Sequence, residues 1–371
     1  MINTKEFYLE LKNNDVNFYT GVPDSLLKYF CACISDNESE NHIIAANEGN
    51  AIAIGTGYYL ATKKIPLIYM QNSGIGNTVN PIISLTSDSV YSIPLLLIIG
   101  WRGQPGIKDE PQHINQGKIT EDLLKVLDVE YEILSIEEDE YKEQINRLLL
   151  KAKTDLKPKA LIVRKNSFSD YSYKNDIKYI TDISREDALE VILDNLDKST
   201  YVFSTTGKTS REVFELREKY NQTHEKDFLT VGSMGHTSSI ALGFSKYNLA
   251  NTICIDGDGA LLMHLGSLAV NKSHGKENFK YILINNYCHE SVGGQKTVFN
   301  NVNATQLFKS VGFYYCKTVD NLADLEKVLK SKEFINNSYA IEVLVRTGAR
   351  KDLGRPTISP KECKNNLMRK I

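Results

Sequence analysis

Apolar residues fall along this chain in short β-branched runs, separated by stretches where they recur every three or four positions. Residues 252–255 form one such run, which ends on Asp256-Gly257-Asp258-Gly259. Residues 279–284 form another, which ends on Asn285-Asn286. Between them Leu261, Leu262, Leu265, Leu268 and Ala269 keep helical spacing. The pattern predicts a strand–loop–helix–strand unit with polar residues at the carboxyl ends of both strands. Open α/β sheets bind their ligands at that edge.

The same alternation runs through the rest of the chain. It predicts helices over 4–13, with Thr4 as cap, and over 26–34, capped by Asp24 or Ser25. Further helices are expected over 51–62 and 79–87, and strands over 16–20, 43–46, 66–71 and 93–100. Residues 101–113 read as a polar loop holding His113. Helix and strand then alternate to Val163. Residues 166–184 are polar and tyrosine-rich, without periodicity, and read as a linker. The pattern restarts with helices over 185–196, 211–219, 237–244 and 322–329 and strands over 201–204 and 339–345. The expected fold class is α/β: two doubly wound parallel-sheet domains, residues 1–165 and 185–371, with no central domain. The two halves look alike in element order and size.

Composition narrows the function classes. The chain is 42% hydrophobic and 24% charged, as a globular protein is. Its 44 basic and 46 acidic residues give a net charge of −2, with no footprint for nucleic acid or membrane. A small anionic substrate stays open, because local cations decide that. The longest apolar run, residues 93–99, suits a buried strand rather than a membrane span. Met1-Ile2-Asn3-Thr4 shows no basic region followed by an apolar stretch, so no signal peptide is expected. The six cysteines have no zinc-type spacing. They read as reduced thiols of a cytoplasmic protein, Cys31 and Cys33 being core and surface thiols of one helix.

Candidate chemistry gathers at the predicted strand ends. Gly257 and Gly259 allow close backbone approach to a bulky anion and offer N–H groups at a helix start. Asp258 and Asn286 offer hard oxygen ligands, and a backbone carbonyl at Cys288 could add a third. Mg²⁺ takes few protein oxygens and completes its shell with phosphate and water. The expected ligand is therefore a metal–diphosphate. Glu48 sits after a strand and before a small-residue helix, where it could cap that helix. Asp109, Glu110, Gln112 and His113 crowd one loop.

Gly257-Asp258-Gly259 with Asn285-Asn286 resembles the metal–diphosphate motif of thiamine-diphosphate enzymes. Thr20-Gly21-Val22-Pro23-Asp24-Ser25-Leu26-Leu27, Lys108-Asp109-Glu110-Pro111-Gln112-His113, Gly232-Ser233-Met234-Gly235-His236, Ser291-Val292-Gly293-Gly294-Gln295 and Asp352-Leu353-Gly354-Arg355-Pro356 extend the likeness over essentially the whole chain. Together they resemble the phosphonopyruvate decarboxylase family. The resemblance implies thiamine diphosphate and Mg²⁺ as cofactors. It implies decarboxylation of 3-phosphonopyruvate to phosphonoacetaldehyde and CO₂, in phosphonate biosynthesis.

The resemblance also implies residue roles. Glu48 would drive the cofactor's aminopyrimidine to act as a base. Met234 would wedge between the cofactor's two rings. Thr206, Gly207, Gly232, Ser233, Gly257, Asp258, Gly259, Ala260, Asn286 and His289 would line the cofactor. Asp24 and His113 would join Glu48 in catalysis. Ser25, Arg102, Lys208, Lys296, Arg350 and Arg355 form the pool from which a phosphonate would draw its partners. Active sites would be shared between copies of the chain, in a homodimer or larger assembly. Sulfopyruvate decarboxylases, usually two shorter chains, are the alternative, along with other 2-keto acid decarboxylases. A non-catalytic thiamine-binding protein would have lost Glu48 or Asp258, and both are present.

Overall fold

The computed structural model describes residues 1–174 and 181–371. It forms two compact units, Met1–Asp176 with Ser291–Gln295, and Ile177–Glu290 with Lys296–Ile371. The linker expected over 166–184 lies partly outside the described residues, at 175–180.

In the first unit the strands are β1 (Tyr19–Gly21), β2 (His42–Ile44), β3 (Leu67–Gln71), β4 (Leu96–Gly100), β5 (Glu130–Ile133) and β6 (Lys159–Val163). They lie in the order β2-β1-β3-β4-β6-β5. In the second unit they are β7 (Tyr201–Ser204), β8 (Asp227–Leu229), β9 (Thr252–Gly257), β10 (Phe279–Asn285), β11 (Tyr315–Val319) and β12 (Tyr339–Leu344). Their order is β8-β7-β9-β10-β12-β11. Every pairing among these strands is parallel. The second sheet thus repeats the first strand for strand, each number raised by six. Each is doubly wound, and no third domain stands among the described residues.

Side-chain alternation explains why these runs became buried strands. In β4, Leu96 and Ile98 enter one apolar core of the first unit, and Leu97 and Ile99 enter the other. In β10, Ile282 and Ile284 face one core of the second unit, and Tyr281 and Leu283 face the other. Among the described residues no helix is long and apolar enough to cross a membrane.

Several local expectations need correction. The first helix, Thr4–Asn13, is capped by Asn3, whose side chain takes the Lys5 and Glu6 N–H groups, and not by Thr4. The second helix begins at Lys28 without a side-chain cap, because Asp24 Oδ2 takes the Leu26 N–H at 2.9 Å and closes a turn there. The loop expected to reach His113 stops at Pro111, which opens the helix Pro111–Val126. Proline suits that position: its φ is preset and its missing N–H has no helical partner to lose. His113 therefore stands in a first helical turn. The leucine-rich stretch after Gly257 is two short helices, Asp258–Met263 and Ser267–His274. Cys31 and Cys33 are both buried, so neither is a surface thiol.

Lys280 is an unusual occupant of the core. It lies in β10, buried, with its ammonium on Asn251 Oδ1 (2.9 Å), Glu277 O (2.6 Å) and Ile335 O (3.2 Å). Burial pulls its pKa from 10.5 to about 8. Between those values the unfolded chain keeps a proton that the folded chain has released, so folding becomes more favourable as pH rises. The stability difference between the parent and Lys280→Met should therefore shift in favour of the parent, by roughly 1–3 kcal/mol, from pH 7.5 to 10.5. Urea unfolding across that range measures it, and parallel pH profiles would refute the assignment.

Candidate active site

In the first unit, polar groups collect beyond the carboxyl ends of β1, β3 and β4. Asn72, just after β3, takes the Arg102 N–H on its Oδ1 (3.1 Å) and gives its amide to Arg102 O (2.8 Å). The backbone following β4 is thereby fixed. Asp109 then grips the Arg102 guanidinium with both oxygens, at 2.8 and 2.5 Å, and Arg102 Nη1 reaches Ser25 Oγ at 2.8 Å. Burial works against the Asp109 charge, yet Arg102 and the Gly103 N–H hold it down at about 2.

Asp24 is fully buried beside this group, and its Oδ1 has no hydrogen-bond partner among the described residues. Burial raises it to about 6, against the pull of the Leu26 N–H and Arg102. His113 is buried too, and its Nδ1 has no partner among the described residues. Burial, then the Arg102 charge, lower it to about 4, so its ring is neutral near pH 7. One edge thus gathers a buried acid with a raised pKa, a neutral imidazole and a clamped cation.

Glu48 is the first residue of the helix Glu48–Thr62, but Asn47 caps that helix by taking the Asn50 N–H. The Glu48 carboxyl instead receives Asn77 Nδ2 at 2.7 Å and packs on Gly74, where any Cβ would collide with it. Glu48 is 5% exposed.

In the second unit the pairing Ile284↔Gly257 brings the ends of β9 and β10 level. The two asparagines close consecutive turns: Asn285 Oδ1 takes the Tyr287 N–H at 2.9 Å, and Asn286 Oδ1 takes the Cys288 N–H at 3.0 Å. Tyr287 consequently sits at a left-handed φ of 56°. Asp258 is buried, accepts from Thr297 Oγ1 at 2.5 Å, and makes no ion pair among the described residues. Burial raises it to about 7. Met234, Gly259 and His289 come together: a Cβ on Gly259 would stand 3.0 Å from the His289 ring and 3.4 Å from Met234 Cε. Gly257 has open space on the corresponding side. Burial lowers His289 to about 4. The Gly232 N–H bonds Thr206 Oγ1 at 3.1 Å, tying the two loops that hold Gly207, Ser233 and Met234. Ala260 is buried in the first turn after Asp258.

The remaining candidate cations are placed differently. Lys208 pairs with Glu290 at 3.0 Å. Arg350 is committed to Glu186 and Glu215. Lys296 is exposed beside its backbone bridge to Cys288, and Arg355 is exposed.

Four participants escaped the sequence reading. Asn77, Thr297 and Arg185 carry no local signal, since Glu48, Asp258 and Glu290, to which they donate, lie 29, 39 and 105 residues away. Glu290 could have been suspected, as an acid four residues past the second asparagine. Among the described residues no group of three or more His, Cys, Asp and Glu could hold a metal. One buried carboxylate, one amide oxygen and one carbonyl fit a hard cation that shares its shell with phosphate and water. The glycine-lined space beside them fits a bulky diphosphate.

Residues 4–124 match the thiamine pyrophosphate enzyme N-terminal TPP binding domain, and residues 205–342 the corresponding C-terminal TPP binding domain. Fold and site edges together define a thiamine-diphosphate-dependent enzyme. Phosphonopyruvate decarboxylase of Streptomyces hygroscopicus is 30% identical, over 98% of this chain and 92% of its own. Its counterpart in Streptomyces viridochromogenes is 29% identical, over 98% and 93%. Sulfopyruvate decarboxylase of Methanosarcina acetivorans is 26% identical, over 80% and 79%. The chain belongs to the phosphonopyruvate decarboxylase family and is a carboxy-lyase that uses thiamine diphosphate.

Asp24 should behave as a group kept at a cost to stability. Its folded pKa lies above its ordinary 3.8, so the parent loses stability as pH rises from about 4 to about 6. Asp24→Asn should be more stable than the parent above pH 6, by on the order of 2–3 kcal/mol, and no more stable below pH 4. Its turnover should fall at the same time. Denaturant midpoints at both pH values, with kcat, check this; a variant less stable at pH 7 contradicts it.

Proposed function

We propose that the chain decarboxylates 3-phosphonopyruvate to phosphonoacetaldehyde and CO₂, with Mg²⁺ beside thiamine diphosphate, in phosphonate biosynthesis. The observation that carries this is the likeness to two phosphonopyruvate decarboxylases over 98% of the chain, both halves included. Arg102 supports it, being held at a sheet edge beside a buried acid and a neutral histidine.

Bound thiamine diphosphate supplies an electron sink as CO₂ leaves. The chain's own residues do the rest. Glu48, buried and oriented by Asn77, would hold a proton at the far ring nitrogen of the aminopyrimidine. Asp258, Asn286 and the Cys288 carbonyl would hold Mg²⁺. Met234, with Gly259 behind it, would shape the space for the two rings. Arg102 and Ser25 would meet the phosphonate, through hydrogen bonds from a fixed guanidinium rather than a mobile charge. Asp24 or His113 would return a proton to the carbon that lost CO₂. The six cysteines are all free thiols, which suits a cytoplasmic site of action.

A substrate panel tests the reading. kcat/KM for 3-phosphonopyruvate should exceed that for pyruvate by roughly 10²–10⁴-fold, the value of a few charge-assisted hydrogen bonds. Sulfopyruvate is the serious competitor, given the Methanosarcina acetivorans relative. A panel won by sulfopyruvate, pyruvate or a branched keto acid overturns the phosphonate assignment.

The division of labour between the two units supports a shared site. Glu48 belongs to one unit and Asp258 to the other. We place a complete site between the first domain of one copy and the second domain of another, in a symmetric dimer or dimer of dimers. Glu48→Ala and Asp258→Ala, each inactive alone, should then regain activity when mixed and allowed to exchange chains. A hybrid dimer would carry one doubly damaged site and one intact site, so recovery should approach about a quarter of parental activity under random exchange. Hybrids seen by native mass spectrometry without any activity would rule the arrangement out.

A further inference from the structure

We propose that Glu290 is a positioning residue that decides which end of the Asn286 amide faces the metal. The inference rests on the reading that this edge takes Mg²⁺ with thiamine diphosphate. An asparagine amide has an acceptor end and a donor end of nearly the same shape, and only the acceptor can hold a cation. Asn286 lies buried beyond β10, so water does not settle the choice. Its Nδ2 donates to Glu290 Oε2 at 3.2 Å, while its Oδ1 lies on the Cys288 N–H at 3.0 Å. An ionised carboxylate only accepts. Nδ2 therefore turns to Glu290 and Oδ1 to the Cys288 N–H, and the second lone pair of Oδ1 is left for the metal.

Glu290 is itself fixed from four directions. Oε2 also accepts from Arg185 Nη1 at 2.7 Å. Oε1 accepts from Lys208 Nζ at 3.0 Å and from the Gly348 N–H at 2.7 Å. Every one of these partners is a donor, so a glutamine here would set its NH₂ against one pair or the other. Arg185 does not depend on Glu290, because Glu212 holds it at 2.6 and 2.7 Å. Removing Glu290 therefore leaves Arg185 paired, while Lys208 and the Gly348 N–H lose an acceptor, and the double variant below separates that loss from the effect on Asn286. The rival explanation is a plain counter-charge for Arg185 and Lys208, with no bearing on the metal.

The test uses Mn²⁺ as the probe, titrated into the full-length protein with thiamine diphosphate and followed by electron paramagnetic resonance, without substrate. Glu290→Ala should weaken Mn²⁺ binding by roughly 10–100-fold, as the loss of a partner behind a metal ligand does. Asn286→Asp alone should also weaken it, because the new carboxylate faces Glu290. The double variant should recover to within about threefold of the parent, since a carboxylate has two equivalent oxygens and needs no orienting. Glu290→Gln, alone and with Asn286→Asp, takes the place of the alanine series if that does not fold, with the same order of affinities. Equal binding by Glu290→Ala and the parent overturns the proposal. So does a double variant no tighter than Glu290→Ala, which is what a counter-charge role gives. A parent that binds no Mn²⁺ with thiamine diphosphate overturns the metal reading beneath it, and that outcome needs no variant to be seen.

Discussion

The site of the second unit depends on the parallel register of β9 and β10. Residue-by-residue pairing carries Ile284 level with Gly257. The chain must leave both strands at the same height, so Asp258 and Asn286 emerge side by side. A slip of one residue would turn every side chain of β10 to the opposite face and carry Asn286 away from Asp258. Burial of both sheet faces forbids that slip: Ile282 and Ile284 are committed to one core, Tyr281 and Leu283 to the other. The polar chemistry is therefore placed by apolar packing that it does not touch.

The two sheets share one topology and use the same edge in different ways. Beyond β1, β3 and β4 the first unit sets out an acid, an arginine and a histidine. Beyond β7, β9 and β10 the second sets out glycines, a carboxylate and an amide. On the proposed function, one edge would take a small charged substrate and the other a metal–diphosphate. Repetition of a fold with different furnishings is how one architecture supports two tasks.

Environment divides the carboxylates into two kinds. Asp24 and Asp258 are buried without an ion-pair partner among the described residues, and burial raises them to about 6 and about 7. Asp109 and Glu290 are also partly buried, but Arg102 in one case and Arg185 with Lys208 in the other keep them charged. The first kind can gain or lose a proton, or take a cation, near neutral pH. The second kind stays charged and holds other groups in place. Acids pushed apart in this way mark separate duties.

The alternation of apolar runs, read alone, determined the α/β class, the two halves and the polar strand ends. That information is local: a strand buried on both faces must be apolar throughout, and a parallel crossover must contain a helix. The motif residues Asp258, Asn286 and Met234 were legible for the same reason, since each lies within a few residues of a strand end. What only the tertiary structure decided are the partnerships. Glu48 was read as a possible cap, but its carboxyl meets Asn77 while Asn47 does the capping. Arg102 and Lys208 were read as a pool of cations, but Asp109 and Glu290 hold them. His113 was placed in a loop, but Pro111 begins a helix there and buries the ring. The Glu48–Asn77 and Lys208–Glu290 contacts join side chains 29 and 82 residues apart, and no periodicity encodes them. They exist only once the sheets bring separate strand ends to one edge, where burial and neighbouring charge then set what each group can do.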